Sequence, residues 1–217
     1  MYKAAIFDLD GTLVDSIYDI AHCMNHIFAK FGYPTYSVDE YKYLVGSGIR
    51  TIAEKQLVGE SAENINKIVD AYEPYYIEHC TDHTVIYDGI NEMLETLSKN
   101  GVKMAVLSNK PHNQAVAVVE KLFGKGTFES IWGRKEDFPM KPDPASVNEI
   151  LKEIGVSREE CVYVGDMEGD ILVARNAGMD GIGVMWGIRG ENSFVDVIPD
   201  VKANTVKELT DLILKNA

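Results

Sequence analysis

Cysteine is scarce in this sequence. Only Cys23, Cys80 and Cys161 occur in 217 residues. They are odd in number, widely spaced and in no CxxC pair, which argues against a disulfide framework. Free thiols in a reducing cytoplasm are the expectation. No apolar stretch approaches the roughly 20 residues of a membrane span, and the N-terminus MYKAAIFDLD lacks the layout of a signal peptide. Positive charge is the minority: 21 Lys and Arg stand against 34 Asp and Glu, a formal net charge of −13. With no basic run to offset it locally, such a chain repels nucleic acid and anionic lipid, and a divalent cation is the more natural partner. There is no HExxH, so zinc chemistry has no support. Repeats, low-complexity tracts and long linkers are absent too. The remainder is ordinary: 46% hydrophobic and 25% charged residues, enough to bury a sizeable core in one large domain or two small ones.

Short apolar runs alternate with longer helical stretches. Lys3–Phe7, Val102–Leu107, Cys161–Val164 and Gly181–Trp186 read as strands, near-continuously apolar and therefore buried on both faces. The fold class that follows is α/β, a doubly wound parallel sheet. Polar residues collect just past the strand ends: Asp8 and Asp10, Ser108 and Asn109, then Asp166. Open parallel sheets bind ligands at that edge.

The second strand comes late. About ninety residues precede it where a crossover needs only a dozen or more. The interval reads as helices over Ser16–Phe31, Val38–Tyr43, Ile49–Leu57 and Ala62–His79, with Pro74 disturbing the last. Residues 15–85 are thus expected to form a small all-helical cap, inserted after the first strand of a core made of 1–14 and 86–217. Hinges are expected near Val14–Ser16 and Tyr87–Gly89. Val206–Leu214 reads as a closing helix. His22 and His26 lie opposite the apolar stripe of their helix and read as solvated; His79 and His83 read as packing histidines. The many tyrosines, Tyr41, Tyr43, Tyr75 and Tyr76 among them, read as cap packing.

The strongest chemical signal is Asp8-Leu9-Asp10-Gly11-Thr12 directly after the first strand. Paired carboxylates at a strand end destabilise one another unless something neutralises them. Mg²⁺, a hard cation with oxygen ligands, does so. Gly11 allows a tight turn whose amide hydrogens can receive an anion. The bland alternative is an acidic turn with Asp15 or Ser16 as a helix cap. Read singly, Ser108 reads as a helix cap and Lys141 as an exposed loop lysine, while Asp166 and Asp170 read as N-caps as readily as ligands; only the constellation lifts them.

DLDGT after a strand, followed by LVDS, resembles the first motif of the haloacid dehalogenase superfamily of phosphotransferases. Three further motifs occur in order: Leu-Ser-Asn-Lys-Pro around Ser108 and Asn109, Lys141 in Lys-Pro-Asp-Pro, and Gly165-Asp166-Met167-Glu168-Gly169-Asp170. The resemblance implies a Rossmann-like core and a set of roles. Asp8 would be the nucleophile that forms an aspartyl-phosphate, and Asp10 the acid and base. Ser108 would bond a phosphoryl oxygen while Lys141 screens nucleophile and phosphate together. Gly11, Thr12 and Asn109 would hold substrate. Mg²⁺ would be held by Asp8, the main chain of Asp10 and Asp166, with Asp170 acting through water or orienting the shell. Met167 departs from the serine of many relatives, which weakens a hydrogen bond but removes no ligand.

In this superfamily the helical insertion selects the substrate. Here it carries Leu44-Val45-Gly46-Ser47-Gly48-Ile49-Arg50. Gly46 suits close approach of backbone to a small anion, and Arg50 is a candidate clamp for a carboxylate or second phosphate; a solvated arginine is its plain alternative. Ser-Asn-Lys-Pro, Lys-Pro-Asp-Pro and Trp186-Gly187 are most similar to the phosphoglycolate phosphatase branch. The resemblance therefore implies a cytoplasmic, Mg²⁺-dependent phosphatase acting on a small phosphorylated metabolite, first of all 2-phosphoglycolate. Pyrophosphate, sugar phosphates or nucleotides are alternative substrates, a β-phosphoglucomutase-type transferase an alternative enzyme, and a non-catalytic phosphate sensor the remotest reading. Neither nucleic acid nor membrane is an expected partner, and the pattern does not choose between monomer and dimer.

Overall fold

Four buried residues, Ala-Ala-Ile-Phe, make the first strand, β1 (Ala4–Phe7), in a computed structural model that describes residues 1–215. A two-residue strand β2 (Val14–Asp15) follows, then four helices in succession: α1 (Ile17–Lys30), α2 (Val38–Lys42), α3 (Ile49–Gln56) and α4 (Ala62–His79). The chain returns through β3 (Val85–Ile86) and alternates from there: α5 (Ile90–Lys99), β4 (Lys103–Pro111), α6 (His112–Phe123), β5 (Ser130–Arg134), α7 (Ala145–Ile154), β6 (Cys161–Gly165), α8 (Glu168–Ala177), β7 (Asp180–Val184), β8 (Val201–Ala203) and α9 (Val206–Lys215).

Six strands form one sheet in the order β5-β4-β1-β6-β7-β8, every neighbouring pair parallel. Alternation along β1 assigns its residues to two faces. Ala5 and Phe7 join the apolar cluster that holds Leu94 and Leu97 of α5, Val118 and Val119 of α6, and Leu209 of α9. Ala4 and Ile6 join the cluster of Val147 and Ile150 of α7 with Val173 and Ala174 of α8. A parallel sheet covered on both faces by helices is a doubly wound α/β fold, as expected. β1 lies centrally, so its C-terminal end is flanked by those of β4 and β6.

The helical segment has sound local reasons to form. Ser37 and Glu40 make a reciprocal capping box before α2, and Ser61 accepts from the Asn64 amide at the start of α4. Pro74 is carried inside α4, which continues to His79. Tyr41, Tyr72 and Tyr76 are fully buried, whereas Tyr43 is exposed. Apolar residues of α1, α3 and α4 share one continuous cluster with the adjacent sheet face. Val14 pairs with Ile86 and Asp15 with Val85 in an antiparallel ladder that ties the two chain crossings together. Asp19 of α1 reinforces this neck: its carboxylate accepts from the amides of His83 and Thr84 and from the Thr84 hydroxyl.

The three cysteines are free and buried. No described helix is long and apolar enough to cross a membrane.

Candidate active site

The chain leaving β1 turns sharply at the sheet edge. The Asp8 amide still bonds Val164 O at 2.8 Å, while Gly11 N bonds Val14 O, also at 2.8 Å. Between them Asp8 and Asp10 project into the floor of a cavity of about 650 Å³. Ser108, Asn109 and Lys110 at the end of β4 line it as well, with Lys141 and Asp170. The opposite wall comes from the helical segment, including Tyr43, Gly46, Ser47, Ile49, Ile52 and Lys55.

Asp8, Asp166 and Asp170 are buried, and each offers a carboxylate oxygen within 4.8 Å of the other two. Lys141 Nζ stands between two of them, 2.9 Å from Asp8 Oδ1 and 2.7 Å from Asp170 Oδ1. The contact to Asp8 is an ion pair, while Asp8 Oδ1 is a buried oxygen with no hydrogen-bond partner. Burial pushes the Asp8 carboxyl up to about 7; Lys141 opposes that shift, and Asp170 and Asp10 add to it. Burial also drives Asp166 well above the usual carboxylate range, with Asp170 and Asp8 adding to the rise. Burial works against the Lys141 ammonium, but Asp170 and Asp8 outweigh it and hold its pKa well above that of a free lysine.

Each carboxylate is oriented by neighbours. Asp166 receives the Thr12 hydroxyl at 3.4 Å and the Ile188 amide at 3.2 Å. Gly11 and Gly187 enclose it so closely that a Cβ on either would lie 2.3 Å from Oδ2. Asp170 Oδ2 accepts from the Met167 amide at 3.0 Å, reaching back over the start of α8. The cradle fits a hard divalent cation. It gathers oxygen donors, concentrates negative charge in a buried place, and leaves one acceptor without a hydrogen bond.

The residues expected at the site separate into two groups. Asp8, Asp10, Ser108, Asn109, Lys141 and Asp170 meet in the cavity, with Gly46 facing them. Thr12 and Gly11 instead serve Asp166 from behind. Asn109 braces neighbours: its side chain accepts from the Lys141 amide at 2.9 Å and donates to Gly46 O at 3.1 Å. Met167 packs its sulfur against Gly46, 2.8 Å from where a Cβ would sit.

Arg50 requires a correction. It does not line the cavity; its guanidinium turns to Asn66 Oδ1 at 2.5 Å and to Glu54 Oε1 at 3.7 Å. On α3 the cavity side is the stripe Ile49, Ile52, Lys55, spaced by three residues, and Arg50 is out of phase with it. Ser16 does occupy the N-cap position of α1, as the plain reading has it, but its side chain is used elsewhere. It makes no cap bond to α1; its hydroxyl donates to Asp10 Oδ1 at 2.5 Å instead.

Sequence reasoning passed over Lys55, Arg189 and Lys110. Arg189 lines the cavity and donates to Lys42 O and Val45 O of the helical segment. Lys110 is 8% exposed, with Nζ 2.5 Å from Asp10 Oδ1. A signal for it existed: Lys110 is two residues beyond Ser108 on one strand, so period-two alternation places both side chains on the same face.

Comparison with known proteins agrees with this geometry. The model of the haloacid dehalogenase-like hydrolase family matches residues 5–184. A phosphoglycolate phosphatase of Agrobacterium fabrum is 32% identical over 215 residues, covering 97% of this chain and 92% of its own. One of Aquifex aeolicus is 31% identical, with 97% and 96% covered. A solved structure from Lactobacillus delbrueckii subsp. bulgaricus, of a candidate phosphoglycolate phosphatase, superimposes with a TM-score of 0.89 at 34% identity, covering 98% of both chains. Sequence, sheet order and the four ordered motifs converge: this chain belongs to the haloacid dehalogenase-like hydrolase family.

Proposed function

We propose that this protein is a cytoplasmic Mg²⁺-dependent phosphatase that hydrolyses a small phosphate monoester, with 2-phosphoglycolate as the first candidate. The observation that carries the reading is the buried Asp8 carboxylate, held at the sheet edge against Lys141 and beside Asp166 and Asp170 at the floor of a cavity. The names of the curated relatives support the substrate.

In this reading an Asp8 oxygen attacks phosphorus, the bond from phosphorus to the ester oxygen breaks, and Asp10 gives its proton to the departing oxygen as the alcohol leaves. Water then attacks the aspartyl-phosphate. Its proton goes to Asp10, the bond between phosphorus and Asp8 breaks, and inorganic phosphate departs with Asp8 restored. Lys141 and the Ser108 hydroxyl stabilise phosphoryl oxygens throughout. Asp8, Asp166 and Asp170, with the main chain of Asp10, are the groups that would hold Mg²⁺. Bound there, the cation supplies charge neutralisation between carboxylates and phosphoryl group. Residues 15–85 act as a cap that excludes water and chooses the ester; 1–14 and 86–217 form the catalytic core.

A larger ester is a second reading, favoured by the cavity. Its roughly 650 Å³ and the apolar side chains of Ile20, Ile49, Ile52 and Tyr72 leave room for a sugar phosphate or nucleotide. Phosphate release from 2-phosphoglycolate, pyrophosphate, p-nitrophenyl phosphate, sugar phosphates and nucleotides tests both readings, with Mg²⁺, with EDTA, and with Asp8→Asn. Mg²⁺-dependent release that Asp8→Asn abolishes is the expected result, and the highest kcat/KM names the ester. Release that survives Asp8→Asn would overturn the mechanism.

A further inference from the structure

Among the described residues, Lys110 is the one buried cation at this edge that the proposed chemistry leaves without a task. It sits on the C-terminal extension of β4, and its ammonium has two partners. Nζ donates to Asp10 Oδ1 at 2.5 Å and to the Tyr76 hydroxyl at 2.8 Å, lying 4.9 Å from the centre of the Tyr76 ring. Tyr76 belongs to α4, is fully buried, and stacks on Tyr72 with ring centres 5.2 Å apart. An ammonium withdrawn from water persists only where such partners hold it. Helix α4 therefore fixes one side of Lys110, and Lys110 fixes Asp10.

The geometry at Asp10 is one-sided. Lys110 Nζ and Ser16 Oγ both donate to Oδ1, each at 2.5 Å, and no described residue bonds Oδ2. A carboxylate anchored twice through one oxygen has little freedom about its side-chain torsions. The second oxygen is then held on the side of the cavity that Asp10 lines.

We infer that Lys110, braced by the Tyr76 hydroxyl, is a positioning residue for Asp10: it presents Oδ2 to the ester oxygen only while α4 is seated against the core. This rests on the phosphatase reading above and adds to it a residue that acts through Asp10 rather than on phosphate. A proton donor must lie within hydrogen-bond reach of the departing oxygen. Its aim matters most when that oxygen is a poor leaving group, as in an alkyl ester, and least for p-nitrophenolate, which departs without a proton.

The test compares the wild-type protein with Lys110→Met, Tyr76→Phe and the double variant, on 2-phosphoglycolate and on p-nitrophenyl phosphate. Lys110→Met is expected to lower kcat for the alkyl ester about 100-fold, the scale of one misplaced general acid, and for the aryl ester about ten times less. KM should shift little for either. Tyr76→Phe keeps the ring and its stack; it should show the same asymmetry more weakly, and should add nothing in the double variant, because the two side chains act in series. Equal losses on both esters would overturn the inference, since they mark a merely structural or a direct electrostatic role. So would a loss confined to KM, or additive effects in the double variant. Failure of the phosphatase reading is seen separately, as wild type inactive on both esters or as activity that Asp8→Asn leaves intact. The crystal structure of Lys110→Met then decides: an Asp10 carboxylate that swings away supports the inference, and one that stays in place overturns it. Should Lys110→Met fail to fold, Tyr76→Phe carries the same comparison.

Discussion

Gly11 stands where any side chain would strike Asp166. A Cβ built on it would lie 2.3 Å from Asp166 Oδ2, and its backbone, at φ +89°, is in a region that L side chains rarely adopt. The turn after β1 thus brings the backbone against the carboxylate that Thr12 also holds. Gly11→Ala must move either the turn or Asp166. We expect it to weaken Mg²⁺ binding at least ten-fold, measured by titration calorimetry, with a parallel fall in phosphate release at limiting Mg²⁺. Unchanged Mg²⁺ affinity would show that Asp166 is free to retreat.

Lys141 is shared by Asp8 and Asp170, and none of the three side chains is more than 10% exposed. Removing one partner of a buried ion pair leaves uncompensated charge and typically costs about 3–5 kcal/mol. Lys141→Ala is expected to lose stability on that scale in urea unfolding with EDTA present. Mg²⁺ should recover part of the loss if, as proposed, it binds the same carboxylates. A deficit indifferent to Mg²⁺ would separate the lysine from the cation cradle.

Much of this was legible beforehand. The apolar runs of β1, β4, β6 and β7 announce themselves because strands buried on both faces have no polar alternation to hide in. β5, with the sequence Ser-Ile-Trp-Gly-Arg, and the three-residue β8 escaped notice; they are the sheet's edge strands, short and part polar. The two-residue strands β2 and β3 carry no periodicity at all. At the site, Asp8, Ser108, Lys141 and Asp170 followed from motif order. Lys110 did not, since a lysine beside proline reads as solvated until Tyr76, from a helix 34 residues away, is brought against it. Arg50 misled because arginine is the usual anion clamp, while the helix phase puts Lys55 on the cavity side.

That phase difference separates the two cations experimentally. Arg50→Ala removes contacts to Asn66 and Glu54 on the outer surface and is expected to leave KM within two-fold. Lys55→Ala removes a positive charge from the cavity wall. It should raise KM for 2-phosphoglycolate about ten-fold, the scale of one charge-assisted hydrogen bond, and raise it less for p-nitrophenyl phosphate, which lacks a carboxylate. The reverse ranking would restore Arg50 as the reader of the substrate.

If Mg²⁺ binds at the acidic cluster as proposed, its effect on stability is expected to depend on pH. Asp8 titrates near 7 when folded, above its ordinary value when unfolded, and Asp166 is raised in the same direction. Between those values the folded state binds more protons than the unfolded state, so stability in EDTA falls as pH rises from about 4 through about 7. At low pH protons occupy the cradle and compete with the cation. The increase in Tm produced by Mg²⁺ should therefore be larger at pH 8 than at pH 5, as read by calorimetric scans. An equal increase at both would mean that these carboxylates do not share protons and metal.

Arg189 holds the helical segment against the sheet edge. Its Nε donates to Lys42 O at 2.8 Å and its Nη2 to Val45 O at 3.2 Å, while the guanidinium lies 5.8 Å from the centre of the Tyr43 ring. The carbonyl that ends α2 and one three residues beyond it are thus clamped by one planar fork from Arg189. Hydrogen bonds to a charged donor are worth about 1.5–3 kcal/mol each, and a partly exposed site takes the lower end of that range. Arg189→Ala should therefore release the segment from Lys42 to Gly48, raising amide hydrogen exchange there about ten-fold or more. KM should rise with it, since the same segment forms a wall of the cavity. Arg189→Lys is expected to behave like the alanine variant despite keeping the charge, because an ammonium cannot span both carbonyls in fixed geometry. If lysine restored protection, charge alone would be holding the segment, and the fork geometry would be incidental.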